Sequence, residues 1–574
     1  MTPATEHTQH NWKEEAVRIA SSRRPPVVVY GLVLAVLNFA PPLLARAVYD
    51  WAVPDRSMER LVALTVGAVL CVGWSLALHG LQASLIERMA QRVDLFLSSR
   101  LIRSLLGARL SSRPTSAGGT ADALRNYENV REVLSANILS TLVSAAFTPI
   151  YLVGCFLYGG PVGFIVLGGA AALSLVLWRI QSAMERPSAT ATRAQIGKSA
   201  LVAEAAGAVD TIKLLGAEER MSARWDALSA EQSEGSFRMR RMSALNVGVG
   251  RYGAALISAL VLAWSAVRLL DGEMQMGDMI AVSMLWGQFA SVAAQLPALT
   301  LRLIRARESL AGLDRVLSLP QEVEASRGYV QPEGVEGAIE LRGVSFSYPA
   351  PEGVESASKI RALDSISLSI PAGEVLGLMG PSGSGKSTLA SLLVALHRAD
   401  EGQILLDGCD VGQVDPRVLR RLVGLHTQSA PLLRGTLREN LLLGRPDAPF
   451  EEVREIAALF GVEAMVQRHP LGMGWDFPIA EGGANLSGGQ RQLVTLARTF
   501  IANPKVVVLD EPTAHLDAAA EEGVKQALST LLRGRTAILV SHRLSLLDLA
   551  HRVLVLDGGR LVGQLDTSSF KRAA

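Results

Sequence analysis

Cysteine is scarce in this chain of 574 residues: there are three, Cys71, Cys155 and Cys409, far apart and odd in number. They give neither a disulfide framework nor a metal-ligand cluster, and read as buried or incidental thiols. Charge is scarce too, at 19% of residues, with 56 lysines and arginines against 54 aspartates and glutamates. A net charge of +2 without a long basic run gives no argument for a nucleic-acid partner, and none is expected. A small-residue cleavage site after the first apolar run is also lacking, so that run reads as an uncleaved span and not as a signal peptide. In place of charge the chain has apolar residues, 49% of the sequence, and a mean hydropathy of +0.27. That balance points to a partly membrane-embedded chain, and the length to two or three domains.

Six apolar stretches approach the roughly 20 residues that cross a hydrocarbon core. They run from Val27 to Val48, Leu61 to Leu81, Asn137 to Tyr158, Pro161 to Leu177, Gly248 to Leu270 and Met279 to Leu296. The first is interrupted by Asn38, Pro41, Pro42 and Arg46. An arginine costs about 2.5 to 3.5 kcal/mol at mid-span, so Arg46 is expected near an interface or against protein. Arginines and lysines crowd one set of connections, among them Arg88, Arg92, Arg186, Arg193, Lys198, Arg240 and Arg302. The opposite loops, Asp50 to Arg60, Gly159-Gly160 and Asp271 to Asp278, are mixed or acidic. The basic side is therefore read as cytoplasmic, with both termini inside. The long cytoplasmic connections, Glu87 to Leu134 and Gln181 to Asn246, are poor in proline and read as helices continuing out of the membrane.

The texture changes after a linker, "LPQEVEASRGYVQPEG". Strand-like runs ("AIELRGVSFSY", "EVLGLM", "KVVVLD", "TAILVS") alternate with helical ones such as "STLASLLVALHR", which predicts an α/β domain with a largely parallel sheet. The domains expected are a tail over 1–26, a six-helix transmembrane domain over 27–310, the linker over 311–336 and a soluble domain over 337–574.

Within the soluble domain, an apolar strand runs into "GPSGSGKST", with Gly380, Ser382, Gly383, Ser384, Gly385, Lys386, Ser387 and Thr388 in a phosphate-binding loop. Glycines let its N–H groups point at phosphate, Lys386 reaches the β and γ oxygens, and Ser387 is a ligand for Mg²⁺. Downstream, "KVVVLDEPT" ends a buried strand at Asp510, a second Mg²⁺ partner, followed by Glu511, placed to orient or deprotonate water.

A second glycine-rich helix start, "LSGGQ" with Ser487, Gly488, Gly489 and Gln490, resembles the signature of ATP-binding cassette proteins. Other elements of that family stand in order: Tyr348 in "FSYP" where an aromatic stacks on adenine, Gln428 in "LHTQSAPLLRGTLREN", "AHLD" ending at Asp517, and His542 in "VSHR". The resemblance implies an α/β P-loop nucleotide-binding domain binding ATP and Mg²⁺, with Glu511, His542 and Gln428 catalytic and Ser387, Gln428 and Asp510 on the metal. It also implies a homodimer in which each site pairs one subunit's phosphate loop with the other's Ser487 and Gly489. "AHLD" and "RQL" depart from the commonest forms of their segments without removing a catalytic group.

Six spans ahead of one cassette match the exporter half-transporter plan. Regions near Ser116 to Asn126 and Ala205 to Thr211 resemble the coupling helices of such exporters. In the membrane half, "LNFAPPLLARAVYDWAVPDRSMERLVAL", "RPTSAGGTADALRNYENVREVL" and "AEAAGAVDTIKLLGAEER" resemble type I secretion exporters of Gram-negative bacteria. This implies location in the inner membrane, a polypeptide substrate, a periplasmic adaptor protein and an outer-membrane channel. Many such exporters carry an N-terminal peptidase domain; here a short tail precedes the first span and no cysteine precedes Cys71, so leader cleavage by cysteine chemistry is not expected. A lipid flippase or drug exporter of the same architecture is the alternative reading. A soluble ATP-dependent clamp of the chromosome-maintenance kind is opposed by the six spans and by the absence of a long heptad coil. Arg251, Gln288 and Gln295 in the last two spans are open to two readings, as pore-facing groups or as interhelical hydrogen-bond partners.

Overall fold

The computed structural model describes Trp12, Glu14, Glu15, Arg18 and residues 24–112, 117–133, 136–324, 327–349, 360–467 and 473–566. It divides into two compact units, one of residues 1–106 and 113–319, the other of 107–112 and 320–574.

The first unit is helical. Five helical segments are long and apolar enough to cross a membrane: Pro26–Ala52, Met58–Gly107, Ile138–Gly159, Val162–Gly207 and Glu218–Leu270. The second, fourth and fifth are 50, 46 and 53 residues long. At 1.5 Å per residue each spans about 70–80 Å, more than twice a hydrocarbon core, so these helices continue well past the bilayer. The sixth stretch forms an 18-residue helix, Met276–Ala293, that falls short of the others in apolarity because it carries Asp278 and Gln288. Its environment explains why that is tolerated: Ala281, Val282, Leu285 and Trp286 have no exposure at all, and protein covers much of the helix. Trp286 donates from Nε1 to Ser258 Oγ at 2.8 Å, which satisfies its one polar atom.

The polar interruptions of the first span have partners as well. Pro41 and Pro42 lack N–H donors, and the helix breaks after Leu37 and restarts at Ala40. Asn38 at the break donates to the Tyr151 hydroxyl at 3.1 Å, and Phe39 stacks on the Tyr151 ring with centroids 5.6 Å apart. Gly154 permits that approach, since a Cβ there would stand 2.6 Å from Phe39. Arg46 faces protein: its Nε lies 2.8 Å from Asp278 and 3.5 Å from Asp50, and its guanidinium sits over the Tyr158 ring. Of the two stretches read as coupling helices, Ser116 lies outside the described residues while Ala117–Asn126 falls within the helix Ala117–Val133, and the Val162–Gly207 helix stops at Ala208 with a short helix, Val209–Leu214, after it.

The second unit contains a six-stranded sheet in the spatial order Arg560–Asp566, Arg552–Asp557, Val375–Met379, Thr536–Val540, Val506–Asp510, Val423–His426. The first pair is antiparallel and the remaining four pairings are parallel. Val506–Asp510 and Thr536–Val540 are buried along their whole length, as expected of parallel strands covered on both faces. A second, antiparallel sheet is built from Ile360–Ile370, Ile339–Tyr348, Glu401–Leu406 and Cys409–Asp410. The helix after the phosphate loop covers Lys386–Leu393 and is shorter than "STLASLLVALHR" predicts. The chain turns there because Ala395 takes a left-handed φ of +51° and the Leu396 N–H closes back onto Ser391.

Candidate functional site

Parallel pairing puts the C-terminal ends of four strands on one edge of the sheet, and a candidate group follows each of them. Val375–Met379 leads into Gly380 to Thr388, Thr536–Val540 into His542, Val506–Asp510 into Glu511, and Val423–His426 into Gln428.

The phosphate loop needs its glycines at two places. Gly380 has φ +153° and a Cβ there would stand 2.0 Å from the Leu556 carbonyl oxygen. Gly385, which caps the Lys386–Leu393 helix at φ +104°, would place a Cβ 2.5 Å from the Ala362 carbonyl oxygen. The backbone is thereby held open, with first-turn N–H groups that have no acceptor inside the helix. Ser382 and Gly383 are exposed, and Ser384 and Thr388 are buried beneath them. Lys386 is itself buried; its ammonium donates to the carbonyls of Gly380 at 2.7 Å and Pro381 at 2.9 Å. Burial pushes its pKa below the ordinary lysine value, and the negative charges of Glu511 and Asp510 oppose that shift.

Asp510 is 6% exposed at the end of its strand. Glu511 leaves the strand with φ +51°, a left-handed backbone that a non-glycine residue holds only with support. Its N–H donates to the Val540 carbonyl at 2.9 Å, and its carboxylate lies 3.5 Å from His542 Nε2. Gln428 is exposed in the turn beyond its strand, and Ser387 is exposed at the helix start. Ser387, Gln428 and Asp510 offer hydroxyl, amide and carboxylate oxygens. That is a donor set suited to Mg²⁺, which binds through one or two carboxylates and keeps waters and substrate oxygens for the rest.

Tyr348 ends the Ile339–Tyr348 strand. Its ring stands edge-on to Phe346 and His397, and its hydroxyl lies 3.2 Å from Thr388 Oγ1, so the antiparallel sheet is tied to the phosphate loop.

The second glycine turn is a capping box. Ser487 Oγ accepts from the Gln490 N–H at 3.2 Å while the Gln490 side chain accepts from the Ser487 N–H at 2.9 Å, opening the Gly488–Ile501 helix. Gly488 and Gly489 lie against His515, where added Cβ atoms would stand 3.6 Å and 3.2 Å from it. Among the described residues, no hydrogen bond or ion pair joins Ser487 to Gln490 with Gly380 to Thr388 of the same chain. Asp517 caps the Ala518–Leu531 helix by accepting from the Ala520 N–H at 2.8 Å.

Residues 363–514, which hold the phosphate loop, the Ser487 turn, Asp510 and Glu511, match the family of the ABC transporter, and residues 27–292 match the ABC transporter transmembrane region. The chain belongs to the ABC transporters. Its fold is that of an ABC exporter, a transmembrane domain fused to a nucleotide-binding domain. It is similar to the structure of a bacterial Atm1-family ABC exporter with ATP bound, with a TM-score of 0.81, 23% identity and 95% of each chain covered. It is 29% identical over 544 residues to the leukotoxin translocation ATP-binding protein LktB of Mannheimia haemolytica, covering 94% of this chain and 74% of that protein. The toxin RTX-I translocation ATP-binding protein of Actinobacillus pleuropneumoniae is 29% identical over 549 residues with the same coverage.

Two residues of this ABC transporter escaped the motif reading. Gln492, inside the "RQL" segment, is buried and its amide reaches both Glu511 and His515. His426, two residues before Gln428, is 2% exposed, and among the described residues neither ring nitrogen has a hydrogen-bond partner. Burial and the nearby Arg498 charge push its pKa down to about 4. His426 closes an apolar run and Gln492 closes the polar stretch "GGQRQ", and neither pattern says what the side chain meets.

Proposed function

We propose that this chain is the inner-membrane ATPase and permease of a type I secretion system, exporting a polypeptide at the expense of ATP. The observation that carries the reading is similarity along 94% of the chain to toxin-translocation ATP-binding proteins. The clustering of Lys386, Asp510, Glu511 and His542 at one sheet edge supports hydrolysis as the motor. A periplasmic adaptor and an outer-membrane channel are the partners this reading requires.

The working unit is a homodimer. Each nucleotide lies between one subunit's phosphate loop and the other's Ser487 turn, whose helix start supplies N–H donors to the γ-phosphate. Tyr348 stacks on the adenine, Lys386 and the loop N–H groups bind the phosphates, and Asp517 caps a helix beside the interface. Glu511 orients the attacking water and takes its proton, and His542 holds the charge of that carboxylate. Mg²⁺, held by Ser387, Gln428 and Asp510, would neutralise charge on the phosphate oxygens.

Coupling is a population shift: ATP favours the closed cassette pair by contacts made only when the pair is closed, and several kcal/mol suffice to reverse the populations. The Val209–Leu214 helix ends at Leu214, which with the next residue, Leu215, is largely exposed, 86% and 75%, in the stretch proposed as a coupling helix. The test is ATP hydrolysis in lipid by Glu511→Gln and Lys386→Ala. Glu511→Gln should bind ATP as the parent does and accumulate the closed dimer without turnover, whereas Lys386→Ala should lose nucleotide affinity. Parent turnover in the first contradicts the role of Glu511 as base, and parent affinity in the second contradicts the role of Lys386 in holding phosphate.

A further inference from the structure

Gln492 lies in the second turn of the Gly488–Ile501 helix and is 6% exposed. A buried primary amide needs partners for both its donor and its acceptor end. In this helix the two ends go to two separate functional segments. Nε2 donates to the Glu511 carbonyl oxygen at 2.8 Å, and Oε1 accepts from the His515 N–H at 3.0 Å. Glu511 is the residue for which such a clamp matters, because its left-handed φ of +51° persists only where neighbours over-determine it. Its N–H is fixed by Val540, and its carbonyl accepts from the Gln492 side chain and from the Ala514 N–H at 3.2 Å, so the sheet, the Gly488–Ile501 helix and the turn that follows Glu511 together set the direction in which the carboxylate leaves the backbone.

We infer that Gln492 is a positioning residue for ATP hydrolysis, its amide holding Glu511 in the conformation that aims the carboxylate and tying it to the helix that begins at Ser487. The inference rests on Glu511 acting on water, as proposed above. A phosphate oxygen held at Ser487 is then sensed at Glu511 through one rigid stretch of helix and one amide.

Two substitutions separate this from a packing role. Gln492→Met keeps the length and loses both hydrogen bonds; Gln492→Glu keeps an acceptor for His515 and loses the donor to Glu511. In the reconstituted full-length protein, both should lower kcat for ATP about tenfold and leave KM within about twofold. In single-turnover hydrolysis, adding Gln492→Met to Glu511→Gln should cost nothing further, because the effect runs through Glu511. An unchanged kcat in both variants, a rise in KM alone, or a loss that multiplies with that of Glu511→Gln overturns the inference. Parent turnover in Glu511→Gln would instead overturn the reading of Glu511. Should Gln492→Met fail to bind ATP, the kcat and KM of Gln492→Glu decide the question.

Discussion

Replacing His426 by leucine should make the nucleotide-binding unit more stable, and increasingly so as the pH falls. The imidazole ends the Val423–His426 strand, 2% exposed and with both nitrogens unpartnered among the described residues. At neutral pH one buried donor and one buried acceptor go unsatisfied, at a cost of about 1–3 kcal/mol, partly returned as strain when a leucine of similar size is packed instead. The pH term has a definite sign. The folded-state pKa is depressed to about 4 by burial first and by Arg498 second. Above an unfolded value of about 6.5 the group costs nothing in protonation, and stability is lost as the pH falls from there toward the folded value. Between about pH 7.5 and pH 5 the loss amounts to roughly 2 kcal/mol, or about thirtyfold in the opening equilibrium. Hydrogen exchange of the Val506–Asp510 amides in the full chain, corrected for intrinsic rates, reads that equilibrium directly. The parent should lose protection about thirtyfold more than His426→Leu over this range. Identical pH dependence in the two proteins would rule out His426 as the group whose protonation costs stability.

Other predictions concern the phosphate loop and the membrane half. Gly385→Ala forces a Cβ to 2.5 Å from the Ala362 carbonyl at a φ of +104°. It should weaken ATP binding by more than about tenfold, since the left-handed region alone costs an L-residue about 1–2 kcal/mol; equilibrium nucleotide binding that matches the parent would contradict this. Arg46→Met leaves Asp50 and Asp278 together without their cation. The loss should lie at the low end of the about 3–5 kcal/mol that breaking a buried pair costs, because the Arg46 side chain is 38% exposed. Thermal unfolding in lipid should show that loss, and Arg46→Met with Asp278→Asn should recover part of it.

The parts of the fold and site that were legible in the sequence are those set by local patterning. A buried strand followed by Gly380 to Thr388 and a helix is a contiguous pattern, and the structure has the strand and the helix on either side of that loop. The capping box at Ser487 and Gln490 is likewise written in four consecutive residues. Relations across elements were not legible. Gln492 meets Glu511 because a helix packs across the end of a strand 19 residues away, and no spacing rule encodes that amide's partners. His426 reads as the polar residue of a strand end, yet parallel pairing buries it. The last helix, Met276–Ala293, carries Asp278 and Gln288, and the partners that accommodate its polar groups, Arg46 for Asp278 and Ser258 for Trp286, come from other helices.

ATP-driven export of a polypeptide can be read from ATPase turnover of the purified, lipid-reconstituted protein with and without the C-terminal fragment of a candidate secreted protein encoded nearby. Stimulation or saturable inhibition by that fragment, absent in Glu511→Gln, is expected. A basal rate indifferent to every such fragment, yet raised by lipids or amphipathic drugs, would contradict it and favour a flippase or drug exporter.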